Sequence, residues 1–532
     1  MRFLDQPTKD KVQSVIDANM TQLAAVEGFV SAEPGFPIID GAVRKEPAVI
    51  VYVIHKKPSA SVLPEERMPR QLGPYRVSVM QADPLRQVMT LMSDQPIADS
   101  IAASASGLTY KPITGNPINA KFKVKKPIVC HIGPDAGWPV LRPFLEATKK
   151  TLSVAMYDFN ADYIAKSFIE TVRDKDLQVV LTWDDGMTEP ETKIRTKLRK
   201  SLKDNLDGFI VRCGASRRFA SAYHEKVAVR DSSAFWLSSG NWSSRSQPNI
   251  DPIGTPSQAK GMYSKGNREW HVIVEDDKLA KVFERYIKHD RDGSKAEAEA
   301  GEDGVVLDAQ TAARLPDVFV PVEALFDADD VADTPTPIAP EILPTGPGEF
   351  EVAPVLTPDN YIGRIMELID SAKRSIFLQF AYINFSDKKI DKKFTEMLAK
   401  LAELSNRPNF DMRIILGSNG AADKIRKLVE SGFKETVFRS QSGIHNKGII
   451  VDGETVLVSS TNWSGDGVLR NRDAGLIIFN KEIATYYQNA FVFDWENRAS
   501  AFIEDDPPVT VARDGDETPP GMVRMSWRDY YG

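Results

Sequence analysis

The chain has 532 residues, of which 42% are hydrophobic and 27% charged, as is ordinary for a soluble globular protein with about three domains. Its two cysteines, Cys130 and Cys213, exclude a disulfide framework and a cysteine-rich metal site, so we expect a reducing compartment. The net charge of −7 argues against strong nonspecific attraction to nucleic acid or anionic membrane, although a local basic cleft would override that average.

The N-terminal sequence predicts no export signal. Residues 1–11 lack the apolar core of a signal peptide, and no stretch reaches the roughly 18 apolar residues of a membrane span. We therefore expect a cytoplasmic protein, with export by a route without a cleaved signal as the alternative.

Residues 1–95 are predicted to form a small α/β module with a role in docking or regulation. Residues 9–26 have a helical pattern, and residues 48–54 and 75–80 are typical of strands. Residues 96–126 are rich in Ala, Ser, Pro and Gly, which predicts a linker.

An internal repeat begins near residue 127 and predicts two similar lobes. The Pro-Asp pair at 134–135 recurs at 358–359. Each copy, at 127–292 and 350–503, has the pattern of helix, strand, helix, strand, helix and hairpin. Strands that alternate with helices favour an α/β/α sandwich with a mixed sheet. The predicted fold class is therefore α/β, with two sandwich lobes about a pseudo-two-fold axis.

The segments outside the lobes have the composition of linkers. Residues 293–349 contain an acidic patch and several prolines, which predicts a semi-extended tether, with an acidic lid over a phosphate-binding cleft as the alternative. Residues 504–532 form an acidic, proline-rich tail. We expect its last aromatic residues, Trp527, Tyr530 and Tyr531, to dock on the body.

A polar motif of fixed spacing interrupts the hairpin of each copy. The first copy contains His224, Lys226, Asp231, Ser238 and Asn241, and the second contains His445, Lys447, Asp452, Ser459 and Asn462 at the same spacing. Asp452-Gly453 predicts a two-residue turn, so that Val451 faces Glu454 and His445 lies opposite Ser460. With Asp231-Ser232 as the turn, His224 is predicted opposite Ser239.

Each hairpin offers an imidazole, an ammonium, a hydroxyl and an amide, because strand residues two apart share a face. An imidazole can attack phosphorus or protonate a leaving oxygen, and Lys and Asn can hold phosphate oxygens. One hairpin supplies half a mechanism, and two facing hairpins supply a nucleophile and a general acid. A single His-x-Lys on a strand is usually a surface pair, but its duplication at identical spacing favours catalysis.

A carboxylate begins the strand after each hairpin. Glu269 follows Arg268, and Asp473 follows Arg472. Such a carboxylate can accept the second ring N–H of a catalytic histidine and stabilise its cationic form. The alternative is an ion pair with the adjacent arginine. Which histidine each carboxylate serves cannot be read from the sequence.

The two stretches resemble the paired HxKxxxxD motifs of the phospholipase D superfamily, including the Ser-x-x-Asn that follows each, over roughly residues 130–497. Leu237 and Val458 stand where the family often has glycine before that serine. The resemblance implies a phosphodiesterase with a phosphohistidine intermediate. Since the family's first motif usually supplies the nucleophile, it implies that His224 attacks phosphorus and His445 protonates the leaving oxygen.

The predicted site contains catalytic, substrate-binding and structural residues. The catalytic residues are His224, Lys226, Asn241, Glu269, His445, Lys447, Asn462 and Asp473; the substrate-binding residues are Ser238, Ser239, Ser459 and Ser460; the structural residues are Asp231 and Asp452. Lys and Asn stand where metal-dependent phosphodiesterases cluster carboxylates and histidines, so we expect neither a metal nor another cofactor.

The predicted substrate is a phospholipid head-group ester, cleaved by water or transferred to an alcohol. We expect a monomer that holds both half-sites and makes peripheral membrane contact. Basic residues near the motifs are expected to serve one phosphate and its rim: Arg217, Arg218, Arg245, Arg268, Arg470 and Arg472. The alternatives are a metal-independent nuclease of the same superfamily and a non-catalytic phosphate- or phospholipid-binding protein. Cardiolipin synthase-like transfer ranks lower, because those enzymes usually carry N-terminal membrane spans.

Overall fold

The computed structural model describes residues 4–57, 59–93, 103–115, 118–299, 316–325, 335–513 and 515–531. The described residues up to 93 form an α/β module with a four-stranded sheet in the order β1-β4-β6-β5. The elements of the module are α1 (Gln6–Ala18), α2 (Met20–Ala24), β1 (Phe29–Gly35), β2 (Ile38–Ile39), β3 (Ala42–Val43), β4 (Ala48–Val53), β5 (Gln71–Leu72), β6 (Tyr75–Gln81) and α3 (Pro84–Leu91). The predicted helix at 9–26 is thus two helices that meet at Asn19.

The first lobe is an eight-stranded mixed sheet between helices, in the order β11-β10-β9-β12-β13-β14-β8-β16. Strands in this part of the chain are β7 (Phe122–Val124), β8 (Ile128–Gly133), β9 (Thr151–Met156), β10 (Gln178–Asp184), β11 (Leu206–Val211), β12 (Lys226–Arg230), β13 (Ala234–Ser238), β14 (Glu269–Val274), β15 (Val318–Pro321) and β16 (Glu341–Leu343). Helices are α4 (Gly137–Glu146), α5 (Asp162–Lys175), α6 (Glu189–Leu202), α7 (Met262–Lys265) and α8 (Asp277–Glu299), which continues past the predicted lobe end at 292.

The second lobe repeats this architecture in the order β20-β19-β18-β21-β22-β23-β17-β7. Its strands are β17 (Phe350–Leu356), β18 (Ser375–Phe380), β19 (Asp411–Gly417), β20 (Phe438–Gln441), β21 (Lys447–Val451), β22 (Thr455–Ser459) and β23 (Ala474–Phe479). Its helices are α9 (Tyr361–Ser371), α10 (Lys392–Ser405), α11 (Ala421–Glu430), α12 (Gly465–Leu469) and α13 (Lys481–Asn497). Three strands of each sheet run parallel and the rest antiparallel, which confirms the predicted fold class.

Alternation along the strands divides each lobe into two apolar layers. In β12, Val227 and Val229 join the cluster that contains α8, whereas Ala228 joins the cluster that contains α4, α5 and α6. The α8 cluster also includes Ile450 and Val456 of the second lobe, so the two lobes share one core between their sheets.

The lobes exchange edge strands that come from the predicted linkers. Strand β7, from the linker at 96–126, pairs with β17 of the second lobe, and β16, from the linker at 293–349, pairs with β8 of the first. Each added strand covers an edge that would otherwise expose unpaired backbone groups. Both linkers therefore contribute to the lobes as well as connecting them.

The second hairpin differs by one residue from its predicted register. The turn is of the expected kind, because Asp452 and Gly453 have φ of 54° and 68° and Glu454 N–H donates to the Val451 carbonyl. However, Val451 pairs with Thr455, so that Glu454 is an additional loop residue.

The first hairpin shows the same shift, since Arg230 pairs with Ala234. Continued along the strands, this register sets His445 opposite Thr461 and His224 opposite Gly240. The predicted partners, Ser460 and Ser239, were therefore wrong by one residue. A two-residue turn signal fixes the turn but does not reveal a bulge beside it.

The N-terminal module docks on helix α11 of the second lobe. The fully buried guanidinium of Arg426 pairs with Glu33 of β1 at 2.6 Å and donates to the Tyr52 hydroxyl at 2.7 Å. Glu430, at the end of the same helix, accepts the Phe36 N–H at 2.6 Å. The module is thus fixed to the body by buried, charge-assisted hydrogen bonds.

The tail adds a third small sheet to the molecule. Strands β24 (Thr510–Val511) and β25 (Met522–Met525) flank β15 of the interlobe linker, and helix α14 (Trp527–Tyr531) follows. Tyr530 is buried together with Val318 and Val320, so the tail docks as predicted. Among the helices that the structure describes, none is long and apolar enough to cross a bilayer.

Candidate active site

The hairpins bring both motif histidines to the contact between the lobes. The His224 N–H donates to the carbonyl of Arg472 at 2.7 Å, and the His445 N–H donates to the carbonyl of Arg268 at 3.2 Å. Each histidine is therefore held beside the arginine that precedes a carboxylate of the other lobe. That carboxylate is Asp473, directly before β23, or Glu269, the first residue of β14. This backbone arrangement decides which carboxylate each ring meets.

The two carboxylates are exchanged between the lobes. Asp473 Oδ1 lies 2.7 Å from His224 Nδ1, and Glu269 Oε1 lies 2.6 Å from His445 Nδ1. An anionic carboxylate accepts, so Nδ1 of each ring carries the proton that it donates. Nε2 of each ring is then the nitrogen available for reaction. The structure thus resolves the pairing that the sequence leaves open.

The neighbouring arginines pair with other carboxylates. Arg268 contacts Asp494 of the second lobe at 2.8 Å and Asp135 at 2.6 Å. Arg472 contacts Asp290 of the first lobe at 2.7 Å and Asp359 at 2.7 Å. Both guanidiniums are fully buried, and removing either would leave buried charges unpaired. They join the lobes and do not pair with Glu269 or Asp473.

This pairing corrects the expectation that the arginines near the motifs form a phosphate rim. Arg218 is also buried against Asp290, and Arg470 is held by Asp391 and Asp466. Their positive charges are balanced inside the protein. The lysines of the motifs are the cations nearest the histidines.

Both motif lysines are fully buried at 0% exposure. Lys226 Nζ donates to the His224 carbonyl at 2.9 Å, whereas Lys447 Nζ lies 2.9 Å from His445 Nε2. A phosphate oxygen at that nitrogen would take over the contact with the ammonium. Each lysine thus contacts the histidine of its own motif, Lys226 through the backbone carbonyl and Lys447 through the ring nitrogen as well.

Burial shifts the ionisation of the site. It lowers the pKa of His224 to about 4, with the Lys226 charge acting in the same direction and Asp473 against it. It also lowers the pKa of His445, and that of Lys447 to about 8. Burial alone would raise the pKa of Glu269, but the charges of His445 and Lys447 outweigh it and bring that pKa to about 2. At neutral pH His224 is therefore neutral, and its ring keeps a lone pair on Nε2.

The predicted substrate-binding serines hold the carboxylates instead. Ser239 Oγ donates to Glu269 Oε2 at 2.5 Å, and Ser460 Oγ donates to Asp473 Oδ1 at 2.8 Å. Both hydroxyls are fully buried. Because each serine hydroxyl donates to a carboxylate, it helps to orient that carboxylate, which in turn orients the histidine.

The other two serines, Ser238 and Ser459, are also fully buried. Ser238 Oγ lies 2.6 Å from His271 Nδ1, and Ser459 Oγ donates to Thr461 Oγ1 at 2.9 Å. All four serines are thus engaged inside the protein, as the contacts above show. Their role in substrate binding stays a prediction.

The histidines and asparagines of the motifs retain slight exposure. His224 and His445 are 4% and 6% exposed, and Asn241 and Asn462 are 5% and 6% exposed. These four side chains are the motif groups that a phosphodiester could touch first. The tryptophans that follow the asparagines, Trp242 and Trp463, are fully buried in the lobe cores.

The motif aspartates lie at the opposite end of the hairpins. Asp452 accepts the N–H groups of Lys373, Arg374 and Ser375 at 2.7–2.9 Å. Asp231 accepts the equivalent N–H groups of residues 149–151 at 2.7–3.2 Å. Each aspartate ties the hairpin turn to the loop before β9 or β18, which is a structural contact far from the chemistry.

Three further residues at the site carried no signal in the sequence. Ser246 Oγ gives Glu269 a third hydrogen bond at 2.8 Å. The Tyr157 ring packs edge-on against the His224 imidazole with 4.5 Å between centroids. Arg528 of the tail lies over the same Tyr157 ring at 4.2 Å. Tyr157 ends an apolar strand and Arg528 is remote in sequence, so only the fold brings them together.

One group of potential metal ligands occurs within the part of the chain that the structure describes. Ligand atoms of Asp184, Asp185 and Cys213 lie within 4.8 Å of one another. Asp184 is ion-paired with Arg528 and also accepts the Tyr223 N–H at 2.7 Å. Its charge is balanced by a cation of the chain itself.

The sequence matches one family, which is described as the cardiolipin synthase, phospholipase D-like domain. The match covers residues 141–291 and 365–495, which together make up more than half of the chain. No curated protein sequence is similar enough to count as a relative.

The chain is also similar to solved structures, at low sequence identity. The phosphatidylserine synthase of Haemophilus influenzae is 12% identical, with a TM-score of 0.42 over 75% of this chain and 90% of that one. The polyphosphate kinase of Porphyromonas gingivalis is 10% identical, with a TM-score of 0.37 over 78% and 55%. Nuc, a phospholipase D family member from Salmonella typhimurium, is 21% identical, with a TM-score of 0.23 over 28% and 97%.

Proposed function

We propose a function from the premise that this chain belongs to the phospholipase D superfamily: it cleaves a phosphodiester through a covalent phosphohistidine, formed on His224. The observation that carries the proposal is the crossed pair of His–carboxylate contacts, Asp473 with His224 and Glu269 with His445. In each contact Nδ1 donates to the carboxylate, so Nε2 is the ring nitrogen that reacts, one as nucleophile and one as acid.

In the first step His224 Nε2 forms a bond to phosphorus while the bond from phosphorus to the leaving oxygen breaks. His445 Nε2 gives its proton to that oxygen. The anionic phosphodiester and Glu269 both favour the protonated form of His445, which offsets the burial that lowers its pKa. Asp473 stabilises the cationic ring that His224 becomes.

In the second step His445, now neutral, accepts a proton from water or an alcohol. The resulting oxygen attacks phosphorus, the bond to His224 Nε2 breaks, and both rings return to their starting states. One proton leaves with the first product and one is taken from the acceptor, so the cycle balances.

Lys226 and Lys447 hold the non-bridging oxygens as negative charge develops on them. By analogy with the loss of an oxyanion donor, replacing either lysine by alanine is expected to cost about 2.7 kcal/mol or more of transition-state stabilisation. Asn241 and Asn462 supply further donors beside the histidines. These groups supply the charge stabilisation that a metal ion gives in other phosphodiesterases, so turnover is expected to survive excess EDTA.

A phospholipid head-group ester is the substrate that we propose. Four of the six arginines near the motifs are balanced by internal carboxylates, so these four do not offer their charges to a run of several phosphates at the histidines. The net charge of −7 points the same way. The cardiolipin synthase-like family description is consistent with a lipid substrate and leaves water and alcohol open as acceptors.

The test compares choline release from phosphatidylcholine vesicles with cleavage of plasmid, single-stranded DNA and RNA at equal enzyme, with and without EDTA. His224→Asn and His445→Asn are the controls for a contaminating activity. Choline release that both variants lose supports the proposal. Salt-sensitive nucleic-acid cleavage without choline release would make the chain a nuclease and leave the catalytic assignment standing.

A further inference from the structure

The tail helix α14 lies against the loops that follow the strands of both lobes. In the first lobe, Arg528 Nη1 donates to the carbonyl of Tyr157, the residue directly after β9, at 3.1 Å. In the second lobe, Asn419, which follows β19, donates to the carbonyl of Tyr530 at 3.2 Å. The motif histidines precede β12 and β21, which run antiparallel to β9 and β18. The helix is therefore at the catalytic edge of both sheets.

Arg528 anchors the helix in the first lobe beside His224. Its guanidinium, of which only 8% is exposed, pairs with Asp184 and, at 3.1 Å, with Glu191. It also lies over the face of Tyr157 at 4.2 Å, while the edge of that ring contacts His224. A cation stacked on an aromatic ring and paired with two buried carboxylates is held firmly. One ring separates this anchor from the proposed nucleophile.

The N-terminal module holds the other side of the tail. The Tyr531 hydroxyl accepts the Leu85 N–H at 3.2 Å. Gln87 of α3 donates to the Val509 carbonyl at 2.7 Å and accepts the Val511 N–H at 3.1 Å. The tail is thus fixed to both lobes and to the module at once.

The catalytic groups under this assembly have almost no access to solvent. His224 and His445 are 4% and 6% exposed, and both lysines are fully buried. A phosphodiester carries a substituent on each side of its phosphate, and the phosphate must contact both Nε2 atoms. The site as it stands does not admit such a group, so something has to move before substrate binds.

We propose that the tail is an autoinhibitory plug, in which α14 covers the entrance to the phosphodiester site and Arg528 locks it in place. This inference rests on the proposed function for the identity of the covered groups. Helix α14 follows the small sheet of β24, β15 and β25 and contributes no strand to the sheet of either lobe, so its release opens the site without disturbing those two sheets.

A plug that opens and closes rapidly reduces apparent affinity by the fraction of molecules that are open. Releasing it is expected to lower KM and leave kcat nearly unchanged. Arg528→Ala removes the guanidinium from both carboxylates and from Tyr157, and we expect kcat/KM to rise by about tenfold, the effect of about 1.4 kcal/mol on the closing equilibrium. Arg513→Ala is the matched control, because Arg513 is an exposed arginine of the same tail.

A second variant releases the helix from folded protein. Residues 515–519 are all exposed, and a protease recognition sequence in their place allows β25 and α14 to be cut together from the rest of the protein. Cleavage is expected to raise kcat/KM for bis(p-nitrophenyl) phosphate. A synthetic peptide of residues 520–532, added in excess, is expected to restore inhibition with a competitive pattern.

Modification of histidines by diethyl pyrocarbonate, read by peptide mass spectrometry, tests the plug without relying on turnover. Arg528→Ala and cleavage should both speed the modification of His224 and His445, while exposed His55 reacts at an unchanged rate. Faster modification without any phosphodiesterase activity would uphold the plug and refute the proposed function. Unchanged modification, or a kcat/KM that stays level or falls in both variants, would show that the tail is only structural.

Discussion

At the residue scale, the exchanged carboxylates divide the site into two working pairs that each span both lobes. Asp473 acts with His224, and Glu269 acts with His445. If a carboxylate orients a histidine, replacing the carboxylate should cause the same kind of kinetic defect as replacing the histidine. Pairing across the lobes therefore predicts other pairs of variants with matching defects than pairing within each lobe would.

We predict that a good leaving group separates the two pairs. p-Nitrophenolate leaves without protonation, so His445→Asn and Glu269→Gln should still release one equivalent of p-nitrophenol in a rapid burst and then turn over slowly. His224→Asn and Asp473→Asn should lose the burst. With an alkyl leaving group, the loss of general-acid catalysis should lower the rate of His445→Asn and of Glu269→Gln by about 10²- to 10⁴-fold. Stopped-flow absorbance measures the burst, and a burst retained by Asp473→Asn but lost by Glu269→Gln would contradict the exchange.

The ionisation of Lys447 predicts an alkaline limit to activity. Its pKa is lowered to about 8 by burial, so as pH rises through about 8 the ammonium loses its charge and its hold on the anionic phosphate. A profile of log(kcat/KM) against pH should therefore turn down near pH 8. Lys447→Arg keeps its charge at high pH, so the decrease in log(kcat/KM) should begin at a higher pH in this variant. A profile that stays level to pH 9.5 in the wild type, with circular dichroism unchanged, would argue against this role.

Much of this site could be predicted from residue types and spacing, because two identical motifs restrict the chemistry strongly. The histidines, lysines and carboxylates were named from the sequence and are brought together in the structure. The hairpin register was predicted one residue off, since a one-residue bulge changes which side chains face each other. Tyr157 and Arg528 could not be found, because their contacts depend on tertiary packing alone.

At the element scale, each catalytic hairpin is fixed at both ends. One end holds the histidine against the other lobe, and the other end holds the motif aspartate against the loop before the central strand. Because the strands between are buried on both faces, the aspartate positions the whole hairpin. Its carboxylate therefore acts as an acceptor for backbone N–H groups.

We predict that Asp452→Ala destabilises the second lobe. The change leaves three N–H groups, of Lys373, Arg374 and Ser375, without their acceptor, and the expected loss is about 1–3 kcal/mol. The urea midpoint of unfolding should fall accordingly. Glu454→Ala is the matched control, since its ion pair with Arg374 is exposed and should contribute about 0–1 kcal/mol. Equal midpoints for the two variants would refute the capping role.

The exchanged edge strands show why strands are harder to predict in the linkers than in the lobes. Strand β16 has only three residues, two of them exposed, and lies among prolines, so no periodic pattern marks it. Its pairing with β8 is decided by the free edge that the first lobe presents. The lobes themselves were readable because long apolar strands alternate with amphipathic helices.

At the scale of the whole molecule, two buried arginines and a shared core make the lobes one catalytic body. Arg268 reaches Asp494 of the second lobe, and Arg472 reaches Asp290 of the first. The same short segments carry Glu269 and Asp473 to the opposite histidines. Contact between the lobes and assembly of the site are thus a single event, and neither lobe alone contains a complete His–carboxylate pair.

The central claim is that this assembled site works through a phosphohistidine on His224. The measurement is rapid mixing with a substrate labelled at phosphorus, quenched in alkaline denaturant, which preserves phosphohistidine, and followed by peptide mapping. Wild-type protein should carry transient label on the peptide that contains His224, His445→Asn should accumulate that label, and His224→Asn should carry none. Label on the His445 peptide, or label that survives His224→Asn, would contradict the account.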